Sequence, residues 1–91
     1  ADADMDKAVD EVMKAKWATS GQDCLGANRI FVERPVYAEF CRRFIAATQG
    51  LTIGPGLDDC DLGPLINERA IAKQEAQVAD ALALGARLGC G

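Results

Sequence analysis

Ser20-Gly21-Gln22-Asp23-Cys24-Leu25-Gly26-Ala27-Asn28-Arg29-Ile30-Phe31-Val32 sets a cysteine in a glycine-flanked loop between two different patterns. After the loop, Arg29 to Glu33 holds the apolar, β-prone run Ile30-Phe31-Val32, which reads as a short buried strand. Before it, Met5, Val9, Val12, Met13 and Trp17 recur at helical spacing and predict a helix from about Asp4 to Ala18. Asp2, Asp4 and Asp6 crowd the start of that helix, and Lys14 and Lys16 sit near its end, as the macrodipole favours. Asp10 and Lys14 form a well-oriented i,i+4 pair. Gly21 is a plausible stop.

Downstream, Pro35 falls where a helix tolerates it best, at the first position. Tyr37, Phe40, Cys41, Phe44, Ile45 and Thr48 follow at helical spacing, and Gly50 ends this second helix. Leu51-Thr52-Ile53 looks extended and runs into the turn signal Gly54-Pro55-Gly56. Leu57 to Ile66 is irregular and acidic. Asn67 is a good N-cap for a third helix, with Ile71, Val78 and Leu82 on one side and Gly85 at its close. Ala86 to Cys90 reads as a short terminal strand. The predicted class is α/β, in the order α-β-α-α-β, with a short parallel strand pair joined by a helical crossover. A parallel pair normally belongs to a larger sheet covered on both faces. The reading is therefore a single partial domain over residues 1–91, part of a longer protein. No internal repeat, low-complexity tract or dividing linker is visible.

A chain of 91 residues is enough for one small domain. Hydrophobic residues make up 49% and charged residues 26%, ordinary values for a soluble protein. A formal net charge of −4 argues against nucleic acid and anionic membrane as partners. No apolar run approaches the ~20 residues a spanning helix needs. No secretory or transit pattern opens the chain, and a start at Ala1 reads as processed or excised from something longer. Cys24, Cys41, Cys60 and Cys90 form no C-x-x-C, and histidine is absent, so zinc-finger spacing is missing. Free thiols in a reducing, cytoplasmic setting are expected.

A thiol becomes a good nucleophile when its thiolate is accessible and stabilised, or when a base lies close by. Gly21 and Gly26 would let the backbone of the Cys24 loop approach a substrate closely. The preceding helix C-terminus and Asp23 both disfavour a thiolate. Without histidine, Cys-His hydrolysis is excluded within this chain, so an activating base is Asp, Glu or a group from another segment. Free cysteines are often inert packing residues, which is the plainer reading of Cys24 on composition alone. Cys41, on the apolar face of the second helix, reads as structural, Cys60 as a loop thiol without an assigned role, and Cys90 as core.

The chain resembles the catalytic domain of the aldehyde dehydrogenase superfamily along essentially its whole length. Asp2-Ala3-Asp4-Met5-Asp6 followed by Ala8-Val9 is similar to the family's Asp-Ala-Asp-Leu-Asp helix start. Gly21-Gln22-Asp23-Cys24 resembles its Gly-Gln-x-Cys nucleophile motif, and Asn28-Arg29-Ile30-Phe31-Val32 the strand that follows. Leu51-Thr52-Ile53-Gly54-Pro55-Gly56-Leu57, Gly63-Pro64-Leu65-Ile66 and Gly85-Ala86-Arg87-Leu88 ahead of Gly89-Cys90-Gly91 resemble later family segments in order. Each is weak alone; their shared order and spacing are specific.

The resemblance implies that Cys24 attacks an aldehyde to form a thiohemiacetal, that hydride passes to NAD or NADP, and that water releases the acid. It implies that the Cys24 N–H supplies half of an oxyanion hole; otherwise that N–H makes an ordinary loop hydrogen bond. It places the general-base Glu just upstream of Ala1, and the dinucleotide-binding and oligomerisation parts also outside these residues. The cofactor is then bound mainly by regions absent from this chain, the isolated chain is inactive, and the parent enzyme is a homo-oligomer. Lys73 matches a position near the nicotinamide ribose in some members, although a solvated helix lysine is the plainer reading. Gly54-Pro55-Gly56 reads as a turn, and no dinucleotide fingerprint occurs.

Within the family the wording is most like the succinate-semialdehyde type, notably Ala27-Asn28-Arg29-Ile30-Phe31-Val32. Such members often carry an Arg six residues before the nucleophile, to hold the substrate carboxylate, where this chain has Ala18. Some carry a second cysteine two residues after it, where this chain has Gly26, so that redox switch is expected to be absent. Two rival readings stand beside the enzyme. One is a thiol redox or sensor protein cycling Cys24 with Cys41 or Cys60; the other is a non-enzymatic interaction module.

Overall fold

The computed structural model describes residues 2–91. Three helices carry it: α1 (Met5–Trp17), α2 (Arg34–Gln49) and α3 (Glu68–Ala83). Each starts where local chemistry favours a start. Asp4 caps α1 by accepting from Lys7 N–H at 3.0 Å, and Asn67 caps α3 by accepting from Ala70 N–H at 3.0 Å. Pro35 lies in the first turn of α2, where its missing N–H costs nothing. At the other ends, Gly50 N–H bonds back into the last turn of α2, and Gly85, at φ +92°, turns the chain out of α3.

α1 and α2 pack together and form the core, centred on buried Val9 and Phe40. Phe40 stacks on Phe44 one turn along, with centroids 5.9 Å apart and rings 10° from parallel. An Arg43–Asp6 ion pair and a Thr48 hydroxyl to Met13 sulfur contact of 3.6 Å also join the two helices. Along α2, Glu39 accepts from Arg42 and Arg43 at 2.6 to 2.9 Å. These hydrogen bonds hold its carboxyl at about 2, well below the usual range. α3 packs against neither α1 nor α2, and Ile71, Val78 and Leu82 on its apolar side stay 43–46% exposed.

The α/β class and the α-β-α-α-β order are overturned. The described residues form helices and no strand. Ile30-Phe31-Val32 lies outside any ladder, with Phe31 92% exposed, and Ala86 to Cys90 is likewise irregular. The sole β-type pairing among the described residues is a parallel bridge between Ile53 and Leu62. Gly54 N–H donates to Leu62 C=O, and Leu62 N–H to Thr52 C=O, both at 3.0 Å. The physical reason is that a strand's hydrogen bonds belong to its neighbour, whereas a helix satisfies its own. Leu51-Thr52-Ile53 finds a partner in the returning 60–62 segment; the other β-prone runs find none here.

Candidate active-site loop

α1 ends in a sharp reversal. Ala18 leaves the helix at ψ 139°, and Thr19, Ser20 and Gly21 then take left-handed values, φ +52°, +57° and +75°. Gln22 N–H closes this turn on Thr19 C=O at 3.1 Å. Glycine adopts such a conformation freely. A β-branched threonine does not, and each non-glycine residue held there costs on the order of 1–3 kcal/mol. The indole of Trp17 lies under the turn: a Cβ at Gly21 would meet its Cε3 at 3.6 Å, an ordinary contact, so conformation rather than space calls for glycine.

The next turn presents the thiol. Asp23 Oδ1 accepts from Leu25 N–H at 2.8 Å, and Gly26 N–H donates to Asp23 C=O at 3.0 Å. A Cβ at Gly26 would sit 3.0 Å from that carbonyl oxygen, so glycine keeps the turn tight. Ala27 N–H donates to Ala15 C=O at 3.1 Å and ties the far side of the loop to α1. Cys24 is left exposed at the crest. Its backbone N–H finds no acceptor among the described residues. The neighbouring Asp23 carboxylate is engaged with Leu25 N–H.

A second segment holds the loop from below. Ser20 Oγ accepts from Gly63 N–H at 2.8 Å. Gln22 uses both ends of its amide: Oε1 accepts from Ile66 N–H at 2.9 Å and Nε2 donates to Pro64 C=O at 3.4 Å. Two stretches that the sequence quotes separately, Gly21-Gln22-Asp23-Cys24 and Gly63-Pro64-Leu65-Ile66, are therefore one unit. Sequence reasoning did not find Ser20 or Gln22 as contributors. The motif spacing was visible; the contact over more than 40 residues was not.

The remaining candidates lie apart from this loop. Lys73 stands on exposed α3 and makes no hydrogen bond or ion pair among the described residues. Cys41 sits beside Tyr37, where its thiol pushes the phenol above its usual range. Cys60 donates to Asp58 C=O at 3.7 Å. Cys90 borders an apolar hollow with Trp17, Leu51 and Leu62, but in irregular backbone, not in the expected strand. No group of three metal-ligating side chains occurs among the described residues. Among the described residues no helix is long and apolar enough to cross a membrane.

The aldehyde dehydrogenase family model matches residues 1–91. The chain belongs to the aldehyde dehydrogenase family. It is 47% identical to the succinate-semialdehyde dehydrogenase [NADP(+)] GabD of Escherichia coli (strain K12), over 99% of this chain and 19% of that protein. It is 43% identical to a 3-sulfolactaldehyde dehydrogenase of Pseudomonas putida, over 99% of this chain and 19% of the relative. A crystal structure of an NADP-dependent enzyme from E. coli superposes with a TM-score of 0.94 at 47% identity, over 99% of this chain and 19% of that one. The chain thus spans about a fifth of the length of these relatives. The fold described above superposes closely on that structure, and the family resemblance read from the sequence holds.

Proposed function

We propose that Cys24 is the nucleophile of an NAD(P)-dependent aldehyde dehydrogenase acting on a small semialdehyde, in the full-length protein of which these residues form part. The observation that carries this reading is a thiol exposed at the crest of a tightly built turn, beside a backbone N–H that has no acceptor among the described residues. Addition of the Cys24 thiolate to an aldehyde carbon places negative charge on the former carbonyl oxygen. The free Cys24 N–H is one donor for that charge, and donors aimed at developing charge supply the largest share of many rate enhancements. Asp23 is occupied by Leu25 N–H and is a poor base for the thiol. The activating base and the cofactor site then lie in other parts of the enzyme, and Lys73 is at most an outer contact to the cofactor.

The substrate class rests on the relatives, two of which are named for semialdehydes or a sulfonated aldehyde. All of these carry an anionic group beside the aldehyde. Ala18, exposed at the entry to the left-handed turn, cannot bind that anion, so the anchoring cation comes from elsewhere in the fold. A homo-oligomer in a reducing, cytoplasmic setting completes the proposal.

The test is made on the full-length protein. Cys24→Ser should abolish succinate-semialdehyde-dependent NAD(P)H formation, by about 10³-fold or more, because an unactivated hydroxyl is a far weaker nucleophile than a thiolate. Retention of turnover in Cys24→Ser would remove the nucleophile reading.

A further inference from the structure

Three consecutive left-handed residues ahead of an exposed thiol are an outlier that something must hold in place. Beyond the Gln22 N–H to Thr19 C=O bond that closes the turn, its side-chain hydrogen bonds run to the distant 63–66 segment. Ser20 fixes the middle of the turn to Gly63 N–H at 2.8 Å. Gln22, two residues before Cys24, is fixed at both ends of its amide, to Ile66 N–H at 2.9 Å and Pro64 C=O at 3.4 Å. The Gln22 amide thereby satisfies a donor and an acceptor of the 64–66 backbone, as a neighbouring strand would. The segment it grips is itself anchored: Leu62 is buried and bridged to Ile53, and Thr52 N–H and hydroxyl both bond the Asp61 carboxylate at 2.8 Å. The Cys24 turn is thus clamped between α1, through Ala27 N–H, and a braced loop, through Ser20 and Gln22.

We infer that Ser20 and Gln22 are positioning residues, which set the height and orientation of the Cys24 thiol and N–H through the Gly63–Ile66 backbone. The inference rests on Cys24 being the nucleophile. A group that must sit within a fraction of an ångström of the attacked carbon transmits small displacements into rate, about 10²-fold for 1 Å. Loss of the clasp should therefore fall on the chemical step rather than on substrate binding.

The experiment uses the full-length protein, with whichever of succinate semialdehyde or a short aliphatic aldehyde it turns over, and compares wild type, Cys24→Ser, Gln22→Met, Gln22→Glu and Ser20→Ala. Gln22→Met keeps the side chain's length and removes both hydrogen bonds. It should lower kcat about tenfold or more, with KM and the melting midpoint close to wild type. Gln22→Glu keeps the acceptor toward Ile66 and loses the donor toward Pro64, so its kcat should fall between the two. Should Gln22→Met fold too poorly to assay, Ser20→Ala, which deletes one hydroxyl, carries the same test. Unchanged kcat in Gln22→Met and Ser20→Ala while Cys24→Ser is dead would overturn the positioning role alone. A fall in melting midpoint with kcat unchanged in the folded fraction would overturn it equally, as the sign of a purely structural clasp. An active Cys24→Ser would overturn both readings together.

Discussion

Backbone conformation decides what each residue around Cys24 is for. Gly21 sits at φ +75° with room for a methyl group, so Gly21→Ala tests conformation and not crowding. The expected loss is about 1–2 kcal/mol of stability, the cost of left-handed backbone for an L-residue. It is measured as the shift in denaturation midpoint of the full-length protein at constant denaturant slope. Thr19 and Ser20 already carry that cost at φ +52° and +57°. Thr19→Gly should accordingly stabilise the turn or leave it unchanged, and a destabilisation above about 1 kcal/mol would show that the Thr19 side chain has a partner role. The cysteine and its glycines were legible in the sequence because their motif is local. The glutamine's role was not, since its partners lie more than 40 residues away.

α2 offers a separate test at the level of one element. Between Arg34 and Gln49 its sole acidic residue is Glu39, bonded to Arg42 and Arg43 one turn along. The folded carboxyl lies at about 2, below its value in an unfolded chain. A depressed carboxyl contributes stability that is present above the unfolded value, about 4.3, and is lost as pH falls through the folded one. A blocked peptide of residues 34–49 should therefore lose helicity by circular dichroism as pH falls from about 4.5 toward 2, and less so at high salt. Glu39→Gln in the same peptide should flatten the profile. For α3, Asn67→Ala should cost about 1 kcal/mol, since it leaves Ala70 N–H without its side-chain acceptor. The helices were legible because capping, spacing and stop signals are all local. Sequence and structure agree on α1 within a residue at each end.

The whole molecule exposes 7337 Å², against about 5,100 Å² expected of a self-contained monomer of its mass. Its radius of gyration is 14.4 Å, where about 12 Å is typical of a domain this long. Phe31 at 92% and Leu57 at 99% exposed belong to that surplus, as does the unpacked side of α3. Burial this sparse cannot offset the conformational entropy of ordering the chain. The 91-residue chain alone is expected to melt without a sharp cooperative transition and to produce no NADH from aldehydes. A steep two-state thermal transition, or aldehyde-dependent NADH from the purified chain, would contradict this.

The sequence alone determined three helices and their limits, the family, and which cysteine stands in a glycine-flanked loop. Those properties depend on residues a few positions apart, on side chains that cap or space a helix and on motifs read in line. Tertiary structure alone decided that Ile30-Phe31-Val32 and Ala86 to Cys90 form no strand here, because pairing is the property of two segments and not of one. It alone joined Gln22 and Ser20 to the 63–66 backbone, because a hydrogen bond across the fold leaves no local trace in either partner.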